Sequence, residues 1–492
     1  MINPFYLEFF VLGLGLLILL TESFLGRGSR LWLGVIAMMG VGVAFAGTFF
    51  LEPDVAGASA RFYVSDAMAV AWKRLLLIAT ILVISMAIVY LPNMRKGMPG
   101  AHPDAGMGEF FTLPVVVCAG LMWMVSAVDL VFLFIALELV TIGFYVLVSF
   151  QRRLVGSLEA GVKYLILGAL SAGFLVYGIA WVFGFSGSFV LSEIQEFLPT
   201  APEETQAGLL FGFALILAGL GFKVAAAPFH FWAPDVYQGA PTPVSAFLSV
   251  GSKAAAIAVL LRVVETMSFG EFLAVKLFPI LGILAGATLL LGALTALPQT
   301  NFKRLLAYSS ISHAGFLLVL IASAPAVENI GASIGFYLGA YLLMTFLAFL
   351  ILAIVSAHTG SDEITAFRGL AGRSPILGFS LLIAMAALAG IPFTTGFISK
   401  VLVFSAAWEA QLWALITIGV VAVGAGFYYY FKILVEAFWK TEAVDSAIRP
   451  SIFAVALLLI LSLSILAFGI YPAPLLEAFG ISLDSLSQVA GR

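Results

Sequence analysis

The chain has 492 residues, of which 62% are apolar and 10% charged, where soluble domains carry about 45–50% and about 25%. Neither a soluble globular protein nor a disordered chain has that composition. At about 20–22 residues per crossing, the roughly 300 apolar residues are enough for about 14 membrane helices, with little left for an extramembrane domain.

The net charge of −3 singles out no class of partner. There is no glycine-rich nucleotide loop after a strand and no basic cluster that would track phosphates, so no nucleic-acid partner is expected. Cys118 is the one cysteine and lies in the apolar run VVVCAGLMW, which excludes an internal disulfide, thiolate metal clusters and a CxxC motif. Of the histidines His102, His230, His313 and His358, only His230 and His313 lie near hydrophobic segments. No metal or cofactor site is expected on the chain.

In chain order, apolar runs predict crossings near 5–25, 31–51, 69–91, 110–128, 129–150, 158–184, 207–228, 243–265, 275–297, 303–323, 330–357, 375–411, 413–439 and 451–471. The long twelfth segment is counted as one interrupted helix. The first run, MINPFYLEFFVLGLGLLILL, lacks a basic n-region and a small-residue cleavage site and is read as the first crossing. The longer polar stretches, about 52–68, 92–109, 186–206, 358–374 and 440–450, are too short to fold alone. One membrane domain over 1–492 is therefore expected.

Alternate loops on one side hold twelve basic residues, Arg27, Arg30, Arg95, Lys96, Arg152, Arg153, Lys303, Arg304, Arg368, Arg373, Lys440 and Arg449. The other side is assigned six, Arg61, Lys73, Arg74, Arg262, Lys276 and Arg492, with the acids Glu193, Glu196, Glu203 and Glu204. By the positive-inside rule both termini face away from the cytoplasm. The other five basic residues, Lys163, Lys223, Lys253, Lys400 and Lys432, fall inside hydrophobic segments.

An internal repeat is visible. At an offset of 172, segment 129–147 falls on 301–319 and matches Gly143-Phe144 with Gly315-Phe316; at 173, Tyr164-Leu165 falls on Tyr337-Leu338; at 164, Pro228-Phe229 falls on Pro392-Phe393. Two five-helix units follow, about 110–265 and 275–439, after helices 1–3 (about 5–91) and before a last helix (about 451–471). Because five is odd, the second unit is inverted, as in secondary transporters. Each unit contains a proline-interrupted helix, at Pro228 with Pro234, Pro241 and Pro243, and at Pro392 followed by Gly396. Irregular backbone at membrane depth is tolerated against protein or a wet cavity. For Pro234 to Pro243 an ordinary surface loop is the competing reading.

Burying a charge at the bilayer centre costs roughly 2.5–3.5 kcal/mol, so ionisable residues there need partners, water or a use. Glu138 lies about nine residues into its segment, near the midplane, and is the natural counter-charge for the lysines. Lys223 precedes a break in small surroundings, Lys253 has Ser249 and Ser252 as polar neighbours, and Lys400 lies in the second interrupted region. A buried lysine without a fixed counter-ion can take and release a proton, the element of a cofactor-free pump. Lys163 either joins this set or makes a surface pair with Glu159 at i−4. Lys432 is read as snorkelling. His230 either caps the broken helix or relays protons, and His313, opposite Thr141 in the repeat, is either a relay or a packed histidine. Arg262 and Glu265 mark a helix end, and Gly331, Gly335 and Gly339 a close helix approach.

The blocks FKVAAAPFHFWAPDVYQGAPTPVSAFLSVGSKAAA (222–256), IALELV (135–140), KYLILGALSAGFLVYG (163–178) and GIPFTTGFISK (390–400) closely resemble the N-type antiporter-like subunits of bacterial NADH:quinone oxidoreductase, respiratory complex I. The resemblance implies an all-α fold of fourteen helices with two inverted five-helix repeats, each with a broken helix. It implies that Glu138 is the family's essential glutamate and Lys163, Lys223, Lys253 and Lys400 its proton-carrying lysines, with His230 beside the broken helix. Lys400 is lysine, unlike the glutamate of the M-type paralogue. The resemblance places NADH, flavin, iron–sulfur clusters and quinone on other subunits, the partners being homologous antiporter-like subunits and the bilayer of a bacterial inner membrane. A standalone cation/proton antiporter is the alternative; a passive scaffold gives no reason for the buried charges.

Overall fold

The structure, a computed structural model, describes residues 4–24, 31–51, 61–96, 107–440 and 447–480. Arg27, Arg30, His102, Arg492 and both chain ends lie outside the described residues. Helices α1 (Pro4–Phe24), α2 (Leu31–Gly47) and α3 (Ala67–Lys96) come first. After them run α4 (Met107–Ser126), α5 (Leu130–Val148), α6 (Val155–Ser186), the short α7 (Leu191–Phe197), and α8 (Glu203–Val224) with α9 (Trp232–Gly239). One continuous crossing is then made by α10 (Thr242–Phe247), a π-helical turn at Leu248–Ser252 and α11 (Lys253–Ser268). The second half holds α12 (Glu271–Ala296), α13 (Phe302–Ala322), α14 (Ile330–Thr359), α15 (Leu370–Arg373), α16 (Pro375–Ala389), α17 (Thr395–Glu409), α18 (Trp413–Phe438), α19 (Ile452–Ile470) and α20 (Ala473–Ala478).

Thirteen described helical stretches are long and apolar enough to cross a membrane. The fourteenth crossing is divided, with α16 and α17 as its pieces.

The inverted repeat shows most sharply at two helix starts. Asp129 caps α5 by accepting from the Val131 and Phe132 amides at 2.8 and 2.9 Å; Asn301, 172 residues later, caps α13 by accepting from the Arg304 amide at 3.1 Å. A shared side-chain cap of this kind satisfies amides that a helix start leaves without partners. Each cap lies in a single antiparallel bridge, Asp129 with Val190 and Asn301 with Glu363. The flanking bonds match too: Leu130 N to Phe189 O and Leu191 N to Val128 O, both 2.9 Å, correspond to Phe302 N to Asp362 O and Ile364 N to Thr300 O, both 2.8 Å. Since five crossings separate the two bridges, they close opposite faces of the bundle.

Both breaks are real interruptions. The first follows Ala225, whose φ of 60° is left-handed, and the second follows Gly390 at φ 86°. Pro234 lies inside α9 and is buried, while Pro241 and Pro243 start α10, so this stretch is packed protein and not a loose surface loop.

Helices α10–α11, α13 and α14 are buried along almost their whole length, whereas α1, α2, α6, α18 and α19 bury a single side. Lipid supplies no hydrophobic drive between helices, so close packing relies on small residues. A Cβ on Gly315 would meet the Leu289 backbone nitrogen at 2.7 Å, and one on Gly292 the Ser312 nitrogen at 2.4 Å, which seals α12 to α13. Gly335 and Gly339 face Phe479 and Leu475, so this pair admits the α20 region, while Gly331 faces Leu261.

The assignment of Lys73 and Arg74 to a loop is corrected. Both lie in α3, and Lys73 is fully buried against Glu8. Apolar flanks on both sides, VAWKRLLL, placed them one turn or more inside the helix. Arg262 likewise lies within α11, held to Asp66 through two bonds of 2.9 Å.

Candidate functional site

Glu138 and Thr141 lie one turn apart on α5, facing the end of α8. Lys223, at the last turn of α8 before the break, donates from Nζ to the Thr141 hydroxyl at 2.5 Å and is almost fully buried. Glu138 is close enough for its charge to act on Lys223. Its Oε1 is buried and makes no hydrogen bond. Lys223 is thus held by the neutral hydroxyl of Thr141, which itself donates to the Leu137 carbonyl at 2.6 Å and was not singled out as a ligand, while Glu138 acts on the lysine through its charge. The carbonyl of Phe222, which also takes the Ala225 amide at 3.1 Å as the helix ends, accepts from the Trp232 indole at 2.8 Å, and the Ala227 amide donates to Thr288 Oγ1 at 2.9 Å.

Lys253 follows the π turn, which shifts the register of the helix ahead of it; such turns recur at functional sites. Its Nζ donates to the Ser310 carbonyl and, at 2.6 Å, to the Ser310 hydroxyl. The predicted neighbour Ser249 instead bonds Tyr341 at 2.7 Å and lies 3.4 Å from the Ser310 hydroxyl, while Tyr237 OH is 3.3 Å from that same hydroxyl. Ser310 is the residue 172 positions after Glu138, so the lysine of the first repeat is held by the second repeat's counterpart of the glutamate. That correspondence was available in the sequence.

Lys400 lies in α17, just after the second break, and caps the broken α16 by donating to the carbonyls of Leu388, at 3.1 Å, and Ala389. Lys223 precedes its break and Lys400 follows one, so they share a region without being repeat equivalents. His313 on α13 is buried, with Nδ1 2.6 Å from Tyr337 OH and its ring 4.7 Å from that of Tyr341. The charges of both Lys253 and Lys400 reach it. It occupies the second repeat's equivalent of Thr141, between two lysines, which fits a relay position. His230 does not share this setting: its ring stacks on Phe231 at 4.5 Å, its Nδ1 has no hydrogen bond, and its carbonyl accepts from the Ala233 amide at 3.0 Å as α9 begins.

Lys163 is paired with carboxylates other than Glu138. Its Nζ lies 2.7 Å from Glu159 and 2.7 Å from Asp235, with the side chain 42% exposed. Asp235, on α9, also accepts from Arg304 of α13 at 2.6 Å and so ties the repeats together. Asp235 was missed, although PDVY within the broken helix carried it. The group lines a cavity of about 600 Å³ together with Asp362 and Glu363, at the face closed by the Asn301–Glu363 bridge. Lys432 donates to the Gln299 carbonyl at 3.0 Å, a snorkelling arrangement. Because Asp235 and Glu159 share Lys163, Glu159→Gln is expected to change turnover by less than about fivefold, exposed pairs being worth ~0.2–1 kcal/mol. Asp235→Asn, which leaves both Lys163 and Arg304 without that carboxylate, should cost more than Glu159→Gln; equal effects in side-by-side turnover assays would refute the ranking.

An inverted pair of broken helices around buried lysines defines the antiporter-like class of membrane proteins. The family model for the NADH:quinone oxidoreductase/Mrp antiporter transmembrane region matches residues 127–426. NADH-quinone oxidoreductase subunit N of Anoxybacillus flavithermus is 37% identical over 478 residues, 94% of this chain and 93% of that one. Among solved structures, a chain of respiratory complex I from Thermus thermophilus superimposes with a TM-score of 0.79 at 30% identity, covering 96% of this chain and 99% of the other. A chain of the Mrp complex from Dietzia shares the fold, with a TM-score of 0.81 at 20% identity over 96% of each chain. The chain belongs to the NADH-quinone oxidoreductase subunit N family.

Proposed function

We propose that this chain is the N-type proton-translocating subunit of a bacterial NADH:quinone oxidoreductase, moving protons through Glu138, Lys223, Lys253, His313 and Lys400 while redox chemistry proceeds on other subunits. The observation that carries this reading is the setting of the three lysines. All are buried, and the hydrogen bonds of each go to neutral oxygens, Thr141 for Lys223, Ser310 for Lys253, and Leu388 and Ala389 for Lys400. An amine held by neutral acceptors keeps those contacts' cost low in either charge state, so a neighbouring charge can decide whether it carries a proton. Lys163 and Asp235 serve the cavity at the basic, cytoplasmic face as its uptake mouth. His230 is a helix-start residue in this scheme. In the complex the chain lies in the inner membrane beside homologous antiporter-like subunits, with α1 beginning on the non-cytoplasmic side.

A pump needs an energy source that acts differently on its two states, and redox centres on the partner subunits supply it. The purified chain in liposomes is therefore expected to show neither NADH oxidation nor quinone reduction, and only slow proton leakage. Proton and sodium flux under an imposed sodium gradient is the measurement. Brisk, saturable sodium/proton exchange by the isolated chain would favour a standalone antiporter.

A further inference from the structure

Away from the lysine axis, the end of the bundle where α1 and α3 begin holds a second buried charge pair. Glu8 Oε1 and Lys73 Nζ are 2.8 Å apart and both side chains are 0% exposed. Tyr63 joins them, donating its hydroxyl to Glu8 Oε1 at 2.8 Å and accepting from Lys73 Nζ at 2.7 Å. Its backbone is pinned by the bridge to Ala127 and by the Val64 N to Ser126 O bond of 2.8 Å. A pair kept only for structure satisfies its lone pairs, because burial otherwise makes it a liability. Here Glu8 Oε2 is buried with no hydrogen bond, and so are the hydroxyls of Ser65, two residues after Tyr63, and of Ser126, and the indole nitrogen of Trp72, the residue before Lys73. Polar groups gathered without protein partners line a place suited to water and a mobile proton. The same Ser65 and Trp72 line a cavity of about 660 Å³, along with Asp66, Arg74 and Glu477, on the face where α1 begins. The charged and titratable groups around the pair are Asp66 and Arg262, whose charges act on Lys73, and Cys118 of α4, which the charge of Glu8 reaches.

We infer that Glu8, Lys73 and Tyr63 form a proton-holding site at the non-cytoplasmic end of the bundle, opening to the bulk through the cavity lined by Ser65, Asp66, Trp72, Arg74 and Glu477. This rests on the proposed pumping role and extends it to a release site. Uptake of one proton on Glu8 Oε2 neutralises the carboxylate and loosens its hold on the Lys73 ammonium; loss of that proton to water in the cavity restores the pair. Helix α3, which carries Lys73, packs against the π turn ahead of Lys253, so movement there reaches the site.

The test uses the whole complex in liposomes, reading proton pumping and quinone reductase turnover together, with Lys223→Met as reference. The double variant Glu8→Gln with Lys73→Met removes both charges without stranding either. It is expected to assemble normally and pump at least threefold more slowly, with Glu8→Asp keeping part of the rate. Normal pumping by the double variant, while Lys223→Met is impaired, overturns the site and leaves the pump reading intact; normal pumping by both overturns both. Should the double variant not assemble, Tyr63→Phe decides: the ring that packs edge-on against Phe5 at 5.1 Å stays, and only the joining hydroxyl goes. A twofold or greater loss of pumping is expected, and wild-type pumping overturns the proposal.

Discussion

Replacing Lys223 by Met in the assembled complex is expected to lower proton pumping and quinone reductase turnover together by at least about tenfold, one factor of ten being 1.36 kcal/mol on the limiting barrier. The amine is the only ionisable group at the end of α8, held by Thr141 and within reach of Glu138. Methionine fills the same volume with no proton to give, and Thr141 keeps its bond to the Leu137 carbonyl at 2.6 Å, so the helix ends stay packed. Lys223→Arg separates fixed charge from proton exchange. A guanidinium holds its proton far above the working pH and scarcely gives it up at pH 7. Arginine should therefore rescue assembly and not turnover. Met at Lys253 or Lys400 should also impair pumping, since the charge passes each in turn. An Arg variant of Lys223 that pumps normally would show that a permanent cation suffices there.

How much of this was legible depended on whether a residue's partner lay within reach of a sequence pattern. The crossings were, because a membrane span needs a long apolar run and few other structures do. The two breaks were as well, since Pro228 and Pro392 recur 164 residues apart, near the 172–173 offset of the rest of the repeat, in apolar surroundings. Partners contributed by the opposite repeat were harder. The hold of Ser310 on Lys253 joins α13 to α11 across 57 residues, and only the offset of 172 that pairs Ser310 with Glu138 hints at it. Asp235 was hidden by its proline-rich neighbourhood, which reads as loop until packing shows it bridging Lys163 and Arg304. Lys73 was misplaced because a charged residue near a predicted helix start resembles a loop residue; its partner Glu8 lies 65 positions earlier with no motif to join them. The π turn before Lys253 has no signal in an apolar, serine-bearing stretch, because it is set by how α10 and α11 fit their neighbours.

Neutralising Glu138 carries the other large effect. A unit charge some 5–10 Å away is worth roughly 2–3 kcal/mol at an effective dielectric of about 20, or on the order of 30- to 150-fold in a protonation equilibrium. Glu138→Gln removes that influence on Lys223 while leaving the Lys223–Thr141 bond in place, so the complex should assemble normally. With its neighbour's charge gone, Lys223 no longer changes protonation in step with the rest of the axis. Turnover and pumping are then expected to fall together by about tenfold, as for Lys223→Met. Glu138→Asp keeps the charge on a side chain one methylene shorter and should retain part of both activities. The side chain is half-buried and its Oε1 has no hydrogen bond, so little structure depends on the exact length. Measuring NADH-driven proton uptake and quinone reduction for the Gln and Asp variants at matched complex content decides the matter. Full activity in the Gln variant would leave Lys223 governed by Thr141 alone and remove Glu138 from the pathway.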